Sequence, residues 1–145
     1  MTILLVVAAI GLAILTFGKS IGGAISSYSS SVEKIAQAIA VAEGFYVSGS
    51  RPQRNHNPGD MTQDLVGLGI GRDGQFIVYA NDQDGWACLY KQIGMWLDGS
   101  SSHADASFTI SDISHFYTTD NQTAWATNVA NQLGVGLDTP IGEIS

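Results

Sequence analysis

Glu43 stands among Ile35, Ala36, Ile39, Ala40 and Ala42, with only Lys34 and Gln37 relieving the apolar run. Desolvation disfavours the charged form of a carboxyl, so a Glu in this setting is expected to titrate above its usual range. Such a group is a candidate general acid at neutral pH. The same residues also suit a helix-terminal Glu in water, and their pattern alone does not choose between the two. The remaining glutamates are placed for other work. Glu33 falls in the first turn of the same predicted helix, where it complements the helix dipole, and Glu143 lies close to the end of the sequence.

Other chemistries have fewer parts. Only His56, His103 and His115 could serve as imidazole ligands, and no pair has i, i+4 spacing, so no metal site and no cofactor are expected. A cysteine amidase would need a thiolate near a helix N-terminus with a histidine base. Cys88 is early in a predicted helix, and His103 and His115 follow. However, Cys88 shares a face with Leu89 and is expected to pack as a small apolar group. Gly69 opens a literal Gly-x-Gly-x-x-Gly, but Gln75-Phe76-Ile77-Val78-Tyr79 after it alternates like a strand. A dinucleotide fingerprint would open a helix there.

The elements that must position Glu43 can be read from spacing and caps. Ser30 and Glu33 form a predicted capping box, and the helix they begin runs to about Phe45, with Gly44 as terminator. Residues 46–62 read as loop, with Pro58-Gly59 suited to the centre of a type II turn. Asp73-Gly74 reads as a hairpin turn. A helix is expected over 83–98, a short one over 109–117, and a last one capped by Asp120 and stopped by Gly134. The expected fold is mainly α within an α+β class: a helical domain with one small β-hairpin, preceded by an N-terminal hydrophobic helix.

Ala42-Glu43-Gly44 at a helix end, then Asn55-His56-Asn57-Pro58-Gly59, then Gly74-Gln75-Phe76 and Asp84-Gly85-Trp86-Ala87, together resemble the lysozyme-like superfamily. Within it, the chain resembles phage and bacterial peptidoglycan-cleaving domains related to goose-type lysozymes and lytic transglycosylases. The resemblance covers roughly residues 35–134. It implies that Glu43 is the catalytic acid and that the Asn57 loop lines the sugar cleft. Asn55 and Asn57 could orient acetamido and hydroxyl groups of a sugar, or hold the turn through side-chain to backbone bonds, or both. Asp60 stands where that loop usually carries a second Asn. Tyr117 and Asn121 stand where related domains place a Tyr before an Asn-containing loop bordering the cleft. Tyr79, Tyr117 and Trp125 are candidate faces for stacking on sugar rings, although Trp125 has the spacing of a core residue.

The implied reaction is cleavage of the β-1,4 bond between N-acetylmuramic acid and N-acetylglucosamine. A second carboxylate would make the enzyme a hydrolytic muramidase, and Asp60, Asp64, Asp82 and Asp84 are possible partners. Without one, the 6-hydroxyl of the muramic acid attacks and a 1,6-anhydro product results. The lack of another well-placed Glu favours this lytic transglycosylase. The alternative of another class is a glycan-binding or structural component of a virion or envelope whose catalysis is lost.

Residues 1–25 are expected to be a membrane anchor, with a signal peptide as the rival, since 3–17 carry no charge. A helix over 1–18 would be about 27 Å long at ~1.5 Å per residue, just short of the ~30 Å hydrocarbon core. Residues 26–31, rich in Ser after the Gly22-Gly23 pair, read as a linker, leaving 32–145 as the catalytic domain. The net charge of −7 argues against a phosphate-binding surface and hence against nucleic acid as a partner. Arg51 and Arg54 nevertheless fall beside the candidate site, where they could meet anionic stem peptides or simply be solvated. Peptidoglycan strands and a membrane are the expected partners. The location is a membrane facing the cell wall, or a membrane-containing virus particle.

Overall fold

The computed structural model describes residues 29–145. The expected anchor or signal segment, 1–25, lies outside the described residues, as does the start of the linker. Among the described residues no helix is long and apolar enough to cross a membrane.

Helix α1 (Ser30–Ala42) buries Val32, Ile35, Ala36, Ala38, Ile39 and Ala40 and exposes Glu33, Lys34 and Gln37. Small alanines on the buried side let two neighbours approach it. Its N-cap is Ser29, whose hydroxyl accepts from the Val32 N–H at 3.3 Å, one residue earlier than the expected Ser30–Glu33 box. Any of several adjacent serines can cap a helix, and the extended backbone of Ser29 decides which one does. The helix also stops before the expected Phe45. Glu43 is its C-cap, and Gly44 at φ 78° turns the chain away, a conformation costly for any residue with a Cβ. Within the expected loop, Arg51–Arg54 form a single helical turn, α2, capped by Ser50 and carrying Pro52 in its first turn.

Strands β1 (Gly69–Asp73) and β2 (Phe76–Tyr79) form the antiparallel hairpin, with Gly74 at φ 61° in the turn and a bulge between Gly69 and Gly71. β2 has a second neighbour. Ile77 N–H donates to the Met61 carbonyl and Tyr79 N–H to the Asn55 carbonyl, both at 2.9 Å. The 55–61 loop is therefore fastened along the edge of β2 that β1 leaves open.

Helix α3 (Asp82–Asp98) is capped by Asn81 and ended by Gly99 at φ 75°. Helix α4 (Ile110–Tyr117) carries a reciprocal Thr109–Asp112 capping box. Helix α5 (Gln122–Leu133) stops at Gly134, at φ 68°. Its N-cap is Asn121 and not the expected Asp120: Asn121 takes φ 43°, and its side chain accepts from Ala124 N–H at 3.2 Å. α1 packs against both α5 and α3, α4 packs on α5, and β2 touches α3. Ile35, Ile39, Leu89, Ile93, Trp96, Ile110 and Val129 fill the space between them. After α5 the chain returns along the 106–109 segment, with Ile141 N–H bonded to the Phe108 carbonyl at 2.9 Å. The result is a helical α+β domain with one two-stranded sheet.

Gly85 shows how tightly α3 meets the loop. A Cβ there would lie 1.9 Å from the His56 carbonyl oxygen and 2.8 Å from Pro58 Cδ. Neither a loop carbonyl nor a proline ring can swing aside cheaply. Gly85→Ala is therefore expected to cost about 2–3 kcal/mol through overpacking, read as a drop in chemical-denaturation stability; a cost under about 0.5 kcal/mol would show that the loop can move.

Candidate active site

At the end of α1 the backbone turn at Gly44 leaves the Glu43 side chain aimed at α5. There the Trp125 indole N–H donates to Glu43 Oε1 at 2.7 Å. The carboxyl is half-buried, and burial pushes it from 4.5 up to about 7. Trp125, by stabilising the charged form, opposes that rise; the nearby Asp60 charge adds to it and Arg51 subtracts from it. Glu43 is thus a carboxyl poised to hold or release a proton at neutral pH.

Tyr117 underpins this arrangement. Its ring stacks on Trp125 with centroids 5.0 Å apart, and its hydroxyl donates to the Gly59 carbonyl at 2.7 Å. One phenol thereby ties α4 to both the Glu43-holding indole and the loop bearing Asp60. Burial, then the charges of Glu43 and Asp60, raise its own titration well above the usual range, so it remains a neutral donor. Gly59 must lack a side chain, since a Cβ would sit 2.9 Å from the Tyr117 hydroxyl and 2.8 Å from Leu89 Cδ1.

The 57–60 turn closes with Asp60 N–H bonded to the Asn57 carbonyl at 2.9 Å. It is not the expected type II turn, because the left-handed residue is Asp60, at φ 48°, and not Gly59. Asp tolerates that region nearly as well as Asn does, which gives a physical reason why Asp can stand at a position where the resembled loops carry Asn. Its carboxylate is buried and is clasped side-on by Arg51, through Nε at 3.1 and 3.2 Å and through Nη2. The Arg51 guanidinium in turn lies 3.5 Å over the Phe76 ring of β2.

The other expected contacts divide sharply. Asn57 is fully buried, and its amide donates to the Met61 and Ile77 carbonyls at 2.9 Å each while its oxygen accepts from Met61 N–H at 2.8 Å. Both its N–H bonds are spent on backbone, so it braces the loop and has no donor left for a sugar. Asn55 is buried too and donates to Asp73 Oδ2 at 3.3 Å, joining the loop to the hairpin. Tyr79 is 1% exposed and belongs to the core, with no ring face for stacking. Trp125 and Tyr117 stack on each other, and Trp125 is itself buried. Asn121 remains exposed one turn before Trp125, with its oxygen used as a cap.

Of the four aspartates considered as second carboxylates, Asp60 is the one whose charge Glu43 feels. Asp64 accepts from the N–H groups of Val66, Gly67, Leu68 and Gly69, which hold its carboxyl low and make it a loop brace. Asp82 pairs with His56 Nδ1 at 2.6 Å, and Asp84 with the Asn81 amide at 3.0 Å. Cys88 is sealed in the core, its Sγ on the Gln63 carbonyl at 3.4 Å, and burial pushes the thiol up, which opposes any thiolate role. Among the described residues no group of three or more His, Cys, Asp or Glu could hold a metal.

Sequence reasoning missed two site residues in their actual roles. Trp125 was legible as a core residue or a stacking face, but not as the hydrogen-bond donor to Glu43, because no local pattern names the acceptor an indole N–H will meet. Arg51 was visible as a charge near the site, but not as the clasp on Asp60. No family model, curated protein or solved structure matches the chain.

Proposed function

We propose that the protein cleaves the β-1,4 bond between N-acetylmuramic acid and N-acetylglucosamine in peptidoglycan, as a lytic transglycosylase. The observation that carries this reading is a half-buried Glu43 carboxyl, raised to about 7 and oriented by the Trp125 indole. Protonated Glu43 donates to the glycosidic oxygen as an oxocarbenium-like centre develops. The resulting carboxylate then removes the proton from the muramic 6-hydroxyl as that oxygen attacks, closing the 1,6-anhydro ring. Asp60 supports this outcome over hydrolysis. Arg51 bonds both of its oxygens, so an attacking water would have to compete with the guanidinium for them. The apolar 1–25 segment would tether the domain to a membrane facing the wall or within a virus particle.

The test is mass spectrometry of peptidoglycan digested by the purified chain and by its Glu43→Gln variant. Anhydro-muropeptides that vanish in the variant are expected. Reducing-end muramic acid would make the enzyme a muramidase, and intact glycan with both proteins would sink the enzymatic reading in favour of a binding role.

The pH profile has a defined direction. Glu43 must begin protonated, so kcat/KM should fall as pH rises through about 7. Trp125→Phe removes the donor that favours the ionised form, so this alkaline limb should move to higher pH. A limb that stays in place, or moves down, would show that the indole does not govern Glu43.

A further inference from the structure

A guanidinium has five N–H donors in a rigid fork. Asp60 takes the side-on edge of Arg51, namely Nε and one hydrogen of Nη2. The end-on edge, formed by Nη1 and the other Nη2 hydrogen, has no hydrogen-bond partner among the described residues. The Arg51 side chain keeps access to solvent: it is 44% exposed while that of Asp60 is 5% exposed. The guanidinium is also held still from two directions, by the buried carboxylate in its plane and by the Phe76 ring 3.5 Å beneath it. An exposed arginine ordinarily loses side-chain entropy on binding, and here the fold has already removed it.

The clasp joins the candidate acid through a short run of contacts: Asp60 follows Gly59, whose carbonyl accepts from the Tyr117 hydroxyl, and Tyr117 stacks on the indole that holds Glu43. Arg51 and Glu43 each register the other's charge. Asp73 also acts on Arg51, but Arg54 stands 4.0 Å from Asp73 and offsets it. Arg54 itself is turned back onto the Gly49 carbonyl. The charges around the rim are thus nearly balanced. What Arg51 offers is a preorganised fork that fits a second carboxylate bidentately, and not a bulk positive field. In a chain of net charge −7, such a fork is a specific recognition element for an anionic substrate group.

We propose that the end-on edge of Arg51 binds a carboxylate of the glycan substrate and selects muramic-acid-containing strands over uncharged ones. This rests on the glycan-cleaving reading of Glu43 and names the substrate feature that the site reads. The carboxylate is either the lactyl group of muramic acid exposed on bare strands or one carried by the stem peptide. A neutral chitin strand has neither.

The experiment measures binding by calorimetry in the Glu43→Gln background, so that nothing is cleaved. Three probes are compared: stem-bearing glycan strands, strands stripped of stems by an amidase, and chitin oligosaccharides. Carboxylate-bearing strands should bind about tenfold more tightly than chitin oligosaccharides. Adding Arg51→Lys keeps the charge on Asp60 but destroys the fork, and it should erase that preference, weakening carboxylate-bearing strands about tenfold more than chitin oligosaccharides. Phe76→Leu removes the stacking support and should erase it in part, with Arg51 retained. Preference for stem-bearing strands alone would identify the peptide carboxylate, and preference for stripped strands the lactyl group. Equal affinity for all three probes, or an equal loss on all three with Arg51→Lys, would overturn the proposal and leave the Glu43 reading standing. No binding to any glycan would overturn both.

Discussion

Glu43→Gln is expected to lower glycan cleavage by about a thousandfold, the scale of a lost general acid, and at the same time to stabilise the folded protein above neutral pH. The sign follows from the two proton affinities. In the unfolded chain the carboxyl titrates near 4.5, and in the fold burial raises it to about 7. Below pH 4.5 both states keep the proton and the group costs nothing. Between the two values the unfolded chain ionises first, so stability falls as pH rises. Above about 7 the full cost stands, roughly 3 kcal/mol at ~1.4 kcal/mol per pH unit. Glutamine is neutral throughout and can still accept from the Trp125 N–H. Urea denaturation should therefore give matching stabilities at pH 4 and a gain for the variant at pH 8. A variant that is inactive but no more stable at pH 8 would mean that Glu43 is not desolvated in solution, and the neutral-pH acid would be lost with it.

Asn57→Ala is expected to cost about 3–5 kcal/mol, because two buried backbone groups lose their partners at ~1–3 kcal/mol each and a cavity is left. The Met61 N–H and the Ile77 carbonyl face inward between the loop and β2, and the Asn57 amide is what they bond. Asn57→Asp should be at least as harmful, since it replaces two donors with a charge pressed against the Met61 and Ile77 carbonyls. Thermal and chemical unfolding would read both. A loss below about 1 kcal/mol for Asn57→Ala would show that water enters and substitutes for the amide. The loop would then not be the rigid platform that fixes Asp60.

Much of the domain was legible because its signals are local. Gly44 and Gly134 end helices since the chain there needs φ of 78° and 68°. The 69–79 hairpin follows from alternation and a glycine turn, and Cys88 from its place beside Leu89. Helix starts were less exact. Ser29 against Ser30, and Asn121 against Asp120, are neighbouring residues of equal capping ability, and only the backbone angle each adopts ranks them. The type II expectation at Pro58-Gly59 failed for a related reason. Glycine was read for its freedom at positive φ, whereas the structure uses its lack of a side chain beneath Tyr117 and Leu89.

The sequence by itself determined the helices, the hairpin, the apolar faces and a single carboxylate set among apolar neighbours. Tertiary structure alone decided what that carboxylate meets. Trp125 reaches it from 82 residues away, and Tyr117 reaches Gly59 from 58. Periodicity records which side of a helix is buried, because burial averages over many neighbours. A hydrogen bond depends on which single polar atom lies opposite after packing, and no local pattern encodes that. Asn57 and Asp60 make the contrast within one loop. Both are polar, nearly adjacent and buried, yet one is consumed by the backbone and the other is clasped by Arg51, with its charge felt by Glu43.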